Sequence, residues 1–357
     1  LQKRPSLLRD FFSKFEVFLA VNRKTVIVNR RTFFTVIFFL VCLWTANAQD
    51  PEFSQFYANP LYLNPALTGA TACPRLAGTY RNQWPGLGNS YNTYSFSYDQ
   101  GVGFLHGGLG LLVIADRAGG GSLNTTTIGL SYAYKFNITE RLNASLAIRG
   151  SYYQRRIVWE NFIFEDQIDP RSGEVVRPTS EPQPGNSTIK AVDFSAGMFL
   201  DYDGLVYGGF AVDHLTQPRN GFYIDNDSRL QMKYTAHAGS VINLKQGYAY
   251  DDDREFSISP NILYQQQGSF HQLNLGAYLT FDPLVCGLWF RHNFENPDAV
   301  IILVGVHYKN LRVGYSYDLN VSNLFSVSGG AHEVSASWQL PCYERKRKIR
   351  AIKCPRF

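Results

Sequence analysis

The chain has 357 residues, of which 15% are aromatic and 18% charged, and its 22 Tyr, 26 Phe and 30 Gly point to an all-β fold with tight turns rather than to helices. The formal net charge of +5 misdescribes the body of the chain. Basic residues concentrate before residue 49 and after residue 343, while the stretch between them is acidic, so no nucleic-acid partner is expected.

At the N-terminal end, Arg30 and Arg31 precede an apolar run from Phe33 to Trp44, and Ala46-Asn47-Ala48 stands before Gln49. This is the pattern of a secretory signal peptide over 30–48, with cleavage after Ala48. The apolar run is too short for a helical span, which needs about 20 residues. Residues 1–29 precede the signal and are treated as an upstream extension outside the fold.

Beyond the signal the apolar residues recur with period two. In 127–134, Ile128, Leu130, Tyr132 and Tyr134 share one face, and Thr127, Gly129, Ser131 and Ala133 share the other. The same alternation runs through 142–149, 272–281 and 333–340. It predicts strands near 75–84, 90–99, 107–115, 125–136, 142–153, 190–203, 205–214, 231–243, 254–264, 270–281, 284–292, 299–308, 310–318 and 331–340. Fourteen is an even number, as closure of a single-chain antiparallel barrel requires.

Connections after even-numbered strands are mostly tight, as at 137–141, Asp203-Gly204, Asp282-Pro283 and Lys309-Asn310. Those after odd-numbered strands are longer, as at 116–124, 154–189, 216–230 and 319–330. Short turns at one rim and long loops at the other are the organisation of a closed transmembrane β-barrel of a bacterial outer membrane. On that reading residues 75–340 form the barrel, and both termini lie in the periplasm. Tyr94, Tyr98, Tyr134, Tyr152, Tyr202, Tyr308 and Tyr317 fall near strand ends, where interfacial girdles form. Inward ionisable residues (Asp99, Arg149, Asp193, Asp201, Arg312, Asp318, Glu333) suit a polar lumen. Strand twelve departs from this pattern, because inward Ile301 and Leu303 imply contact with a plug or another strand.

Little points to catalysis or metal chemistry. The seven His are scattered without ligand spacing, no Ser is marked as a nucleophile, and Gly119-Gly120-Gly121 links two strands rather than opening a helix. No enzyme activity and no cofactor are expected. Of the cysteines after the signal, Cys73 precedes the first strand and Cys342 follows the last. Closure makes those strands neighbours, so a Cys73–Cys342 disulfide is expected, with Cys354 as the competing partner. Cys286 is expected to be a buried free thiol.

Several segments resemble the PorP/SprF-like outer-membrane proteins of the type IX secretion system and gliding machinery. Gln49-Asp50-Pro51-Glu52-Phe53-Ser54-Gln55-Phe56, with Asn59-Pro60-Leu61 and Leu63-Asn64-Pro65-Ala66-Leu67-Thr68-Gly69, is similar to the family's opening signature. Tyr80-Arg81-Asn82-Gln83-Trp84-Pro85-Gly86 resembles its first-strand motif. Gly329-Gly330-Ala331-His332-Glu333-Val334-Ser335 and Cys354-Pro355-Arg356-Phe357 resemble its last strand and its closing motif. The insertion at 154–189 is a departure. The resemblance implies a component that assists export or surface anchoring of cargo proteins, in contact with outer-membrane lipid, periplasmic secretion or gliding subunits and a secreted surface cargo. A diffusion or uptake channel is the alternative.

Read from its residues alone, residues 49–74 form an N-terminal arm or plug, of which 49–70 is neither strand nor regular helix, because Pro51, Pro60 and Pro65 impose extended or turn geometry. Its apolar side chains need burial, as a periplasmic-side plug or as a docking arm, with a disordered leader as the alternative. In a docking arm the candidate partner-binding residues are Phe53, Gln55, Phe56, Asn59 and Asn64. The tail, 341–357, carries Arg345, Lys346, Arg347 and Lys348, too costly for a lipid-facing wall. It is expected to leave the membrane on the periplasmic side and dock an acidic subunit, the alternatives being a topogenic flank on anionic lipid head groups or a solvated end.

Overall fold

A computed structural model describes residues 49–341 apart from 72, 89, 224–227, 245–255, 295 and 322–328. The strands are β1 (Arg75–Gln83), β2 (Tyr91–Val102), β3 (Gly107–Ala118), β4 (Leu123–Asn137), β5 (Leu142–Ile157), β6 (Thr188–Tyr202) and β7 (Val206–Asp213). They continue with β8 (Lys233–Ser240), β9 (Phe256–Gln267), β10 (Phe270–Phe281), β11 (Leu284–Asn293), β12 (Asn296–Tyr308), β13 (Leu311–Asn320) and β14 (Ala331–Gln339). A two-residue piece, Ile242–Asn243, extends β8 along β9. Each strand pairs antiparallel with the next, and β14 pairs with β1, so the sheet closes. Closure leaves no strand edge, the condition for a sheet to sit in lipid with its backbone groups satisfied.

The seam has a definite register: Thr79 lies opposite Ser335, and Arg81 opposite Glu333. One rim carries the β1–β2, β3–β4, β5–β6, β7–β8 and β13–β14 connections and is called the loop rim below. The opposite, turn rim carries the tight β6–β7, β10–β11 and β12–β13 turns.

Strand length is where the structure departs most from the hydropathy pattern. β3 and β4 run on to Ala118 and from Leu123, leaving a turn at Gly119–Gly121 where a loop over 116–124 was expected. The turn needs three consecutive left-handed residues, with φ of 59°, 65° and 92°, which glycine adopts without a Cβ clash. Alternation is visible only where one face meets lipid. Above that level both faces are polar, yet the ladder persists, with Arg117 opposite Asn124. The loop rim is also less uniform than expected, since β9 and β10 are joined by a tight turn there.

Along the strands, burial alternates with the pleat. On β11, Leu284, Cys286, Leu288 and Phe290 are exposed while Val285, Gly287, Trp289 and Arg291 are buried. Cys286 is a free thiol, but it points outward rather than being buried as expected, because it shares the lipid-facing parity of Leu288. Outward side chains such as Leu130, Ile148, Val192, Phe194, Leu288 and Val304 make the outer surface apolar. A continuous apolar band of this kind is the signature of a membrane-facing wall. Among the described residues no helix is long and apolar enough to cross a membrane. The expected girdle residues Tyr94, Tyr134, Tyr152, Tyr202 and Tyr308 are exposed on the same outer face.

Leu130 lies at the middle of β4, so Leu130→Arg places a guanidinium against the hydrocarbon. Equilibrium unfolding in lipid vesicles should show a loss of about 2–4 kcal/mol, while Asn124→Arg at the rim should lose about 0–1 kcal/mol.

Candidate functional site: the arm inside the lumen

The segment before β1 lies inside the barrel. It makes three short turns, Phe56–Ala58, Pro60–Leu63 and Pro65–Leu67, the second of them a single turn of α-helix where irregular chain was expected. Pro60 and Pro65 open their turns, where proline's missing N–H costs nothing and its fixed φ fits. The Asn64 side chain caps the third turn by accepting from the Ala66 N–H at 2.9 Å.

The arm runs the length of the lumen. At the turn rim, the Gly69 N–H donates to Asp99 Oδ2 (2.7 Å), and Arg75 pairs with the other Asp99 oxygen at 2.9 Å. At the loop rim, the Asp50 N–H donates to Gln267 Oε1 (2.8 Å), and Asp50 pairs with His214 at 2.7 Å. The chain leaves β14 at the turn rim, where the Leu340 N–H donates to the carbonyl of Pro74. Gln49 and Leu340 therefore sit at opposite rims, which corrects the expectation that both ends emerge on one side. That expectation kept the arm on the side where β1 begins, whereas its polar contacts draw it through.

Between the rims, the wall satisfies the arm's polar groups one by one. Asn59 Nδ2 donates to Ser95 Oγ (2.8 Å), Arg149 Nη1 to the Leu61 carbonyl (2.7 Å), and Asn64 Nδ2 to the Met198 carbonyl (2.9 Å). Ser145 Oγ donates to the Ala66 carbonyl, and Thr68 shares a hydrogen bond with Ser131, both at 2.8 Å. Asn64 comes so close to the wall that a Cβ on Gly197 would stand 2.2 Å from its Oδ1, and one on Gly209 would stand 2.7 Å from its Nδ2. Phe56, Tyr57, Ala58, Leu63, Ala66, Leu67 and Ala70 form one apolar core with wall residues that include Phe199, Leu263, Trp289, Ile301 and Leu303. The apolar inward face of Ile301 and Leu303 on β12 is thus accounted for by the arm.

The densest polar contact lies near the loop rim. The Ser54 and Gln55 N–H groups donate to the two carboxylate oxygens of Glu333 at 2.6 and 3.0 Å. Gln55 Nε2 donates to the Glu333 carbonyl at 2.9 Å, and Ser335 Oγ donates to Gln55 Oε1. Ser54 Oγ donates to Asp318 Oδ2 (2.6 Å) and accepts from both Arg81 and Arg291, so its single proton and both lone pairs are used. Arg81 also pairs with Asp318 and Glu333, and Arg291 with Asp318 and Asp298. Four charged side chains from β1, β11, β13 and β14 are neutralised among themselves and share one serine of the arm.

A second ionic group fixes the arm's end. His214 donates from Nε2 to Asp50 and from Nδ1 to Asp193, both at 2.7 Å, and Lys233 stands 4.0 Å from Asp50. Burial pulls the His214 imidazole down, but Asp50 and then Asp193 outweigh it and hold its pKa raised to about 10. Burial would raise the Asp50 carboxyl, but protonated His214 keeps it well below the usual carboxylate range. A cavity of about 440 Å³ remains beside this end, lined by Tyr62, Trp84, Asp116, Arg155 and Asn220 among others.

Of the residues proposed from sequence to bind partners, Phe53, Gln55, Phe56, Asn59 and Asn64 come together here. All five are buried, at 5% exposure or less: Gln55, Phe56, Asn59 and Asn64 contact the barrel's own wall, and Phe53 packs edge-on against Tyr62 of the arm. Arg345, Lys346, Arg347 and Lys348 lie outside the described residues, as do Cys342 and Cys354. Cys73 is disulfide-bonded. Arg149, Asp193, Asp318 and Glu333 are inward as expected, yet as anchors of the arm rather than as a solvated lumen. Sequence reasoning missed Arg81, Arg291, His214 and Lys233. Strand parity marks Arg81 and Arg291 as inward, but nothing local pairs them with residues more than two hundred positions away.

The closed sheet, apolar outer wall and occupied lumen define an outer-membrane β-barrel that carries its own plug. The chain belongs to the type IX secretion system membrane protein PorP/SprF family, whose model matches residues 45–338. It is thereby an outer-membrane component of a secretion system. No curated relative matches the chain. Among solved structures it is similar to a Pseudomonas aeruginosa FadL homologue (11% identity, 77% of this chain and 92% of that chain, TM-score 0.39). It is also similar to the TodX deltaS2S3 mutant monoaromatic hydrocarbon channel (8% identity, 78% and 92%, TM-score 0.43) and to the CymD monoaromatic hydrocarbon channel (10% identity, 80% and 94%, TM-score 0.40). At such scores these likenesses say nothing of function.

Two measurements test this anchoring. Arg291→Leu leaves Asp318 with Arg81 as its remaining arginine and takes away the guanidinium 3.9 Å from Glu52, and it should cost about 3–5 kcal/mol in unfolding experiments, as for a broken buried ion pair. The His214 contribution has the opposite sign to that of Asp50. A raised imidazole pKa stabilises the arm fully below the ordinary value of 6.5 and is lost as pH rises through about 10, whereas the lowered Asp50 pKa stabilises above 3.8 and is lost on acidification. NMR titration of His214 in the folded barrel should therefore give a midpoint near 10, and a midpoint near 6.5 would show that the Asp50 contact is not made.

Proposed function

We propose that the protein is a non-enzymatic docking component of the type IX secretion or gliding machinery, one that assists export or surface anchoring of cargo by holding partners at its rims. The observation that carries this reading is the filled lumen. A barrel whose interior is packed with its own chain, with Ser54, Gln55 and Asn64 at 0% exposure, offers partners its rims and loops rather than a path for solutes. A diffusion channel would require the arm to leave, at the cost of exposing the apolar core and unpairing Asp50 and Glu333.

By the usual organisation of such barrels, the loop rim faces outside and the turn rim faces the periplasm. The surface cargo then meets the 158–187 loop. This loop is organised around Asp166, which accepts from the Ser180 N–H at 2.6 Å and from Thr179 at 2.9 Å. The C-terminal tail then emerges in the periplasm, where Arg345, Lys346, Arg347 and Lys348 meet an acidic subunit through contacts that salt weakens over about 8 Å.

Purified protein in planar bilayers should give no steady ohmic pore; a stable large conductance would favour the channel. Replacing Arg345, Lys346, Arg347 and Lys348 with Gln should leave the barrel folded but reduce secretion and the salt-sensitive co-purification of periplasmic partners. Unchanged secretion and co-purification would remove the docking role of the tail. Single cysteines at Gly120 and Pro182 should label on intact cells and one at Asp203 should not, and the reverse result would invert the barrel.

A further inference from the structure

The arm joins the two strands that close the barrel. Gln55 makes its N–H, side-chain amide and side-chain carbonyl contacts entirely with β14, through Glu333 and Ser335. Ser54 accepts from Arg81 of β1, the residue directly opposite Glu333 across the seam, and donates to Asp318 of β13. At the other rim Asp99 holds Gly69 of the arm and Arg75 of β1 together. The seam is thus bridged by the arm at the loop rim, and β1 is tethered to the arm again at the turn rim.

The path of the arm restricts when this happens. It leaves β1 at the turn rim and ends at Asp50 by the loop rim, so entry into a closed barrel would be end-first. Asp50 and Glu52 would have to pass the apolar belt of Phe199, Leu263, Trp289, Ile301 and Leu303. Carrying carboxylates through such a belt without partners is strongly unfavourable. Docking on a sheet that is still open avoids this passage altogether, because Arg291, Lys233 and His214 are reached sideways. An open sheet also leaves Arg81 and Glu333 on separate edges, and the arm is what each can meet before meeting the other.

We infer that residues 49–70 have an assembly function: the arm docks on the open sheet, and Ser54 and Gln55 then draw β14 onto β1 so that the barrel closes around it. The arm is a template for the seam as well as a plug of the finished barrel.

The test is the rate of closure of the full mature chain, folded from urea into lipid vesicles and followed by the heat-modifiable gel mobility of closed barrels. Gln55→Ala removes two side-chain contacts with β14, and Ser335→Ala is the milder variant that removes one. Ser145→Ala weakens the same arm by one bond at Ala66, far from the seam. If closure needs the arm, Ser335→Ala should close about fivefold more slowly and Gln55→Ala more slowly still, while Ser145→Ala, whose bond forms when the arm docks on the open sheet, should not unfold faster. A Gln55→Ala chain that never closes counts as slowed, and Ser335→Ala then gives the magnitude. Seam variants that close at the wild-type rate and only unfold faster would mean that the arm enters after closure and would overturn the inference.

Discussion

The interior of this barrel depends on the neutralisation of Arg81, Arg291, Asp318 and Glu333, which lie on four strands and are almost fully buried. Charges taken from water at this depth are tolerated only when paired and fully hydrogen-bonded. The wall alone does not finish the task. The two carboxylate oxygens of Glu333 accept from the Ser54 and Gln55 N–H groups, and one guanidinium nitrogen of each of Arg81 and Arg291 donates to the Ser54 hydroxyl. A charged network whose central contacts run through Ser54 and Gln55 makes the arm a part of the barrel.

The apolar contacts follow from the same arrangement. A water-filled lumen would have no use for Trp289, Ile301, Leu303 or Phe199 facing inward. With Phe56 packed edge-on against Trp289 at 5.2 Å, and Leu63, Ala66 and Leu67 behind it, these residues form a core of the kind found in soluble domains. The protein therefore has two apolar surfaces with different solvents, lipid outside and its own chain inside, separated by one layer of sheet. Ser145 and Arg149 satisfy backbone carbonyls of the arm, which has no strand ladder of its own, while Ser95 and Ser131 bond to the Asn59 and Thr68 side chains.

The segments that resemble the PorP/SprF family acquire a common physical meaning in this arrangement. Ser54 and Gln55 come from the opening signature, Arg81 from the first-strand motif and Glu333 from the last-strand motif. The three meet within one hydrogen-bonded cluster, although they are far apart in sequence. In this chain these three segments supply the groups that hold the arm in the barrel.

Much of the barrel was legible in the sequence because lipid imposes a strict rule on one face of each strand. Leu130 and Ile148 had to be apolar, Ser131 and Arg149 did not, and period two follows directly, with turns marked at Asp203-Gly204 and Asp282-Pro283. Beyond the lipid the rule lapses, so the rim extensions of β3 and β4 left no hydropathy trace. The odd pattern at Ile301 and Leu303 already called for an internal partner, and the prolines and aromatic residues of 49–70 called for burial. Which rim the arm would reach, and that Gln55, Phe56, Asn59 and Asn64 would face the wall, was decided by tertiary structure alone. Those outcomes rest on pairings such as Asp50 with His214 and Ser54 with Asp318, between residues that only closure of the sheet brings within hydrogen-bonding distance. Local sequence fixes the parity of a side chain, but its partner across a lumen is set by the register and curvature of all the strands between them.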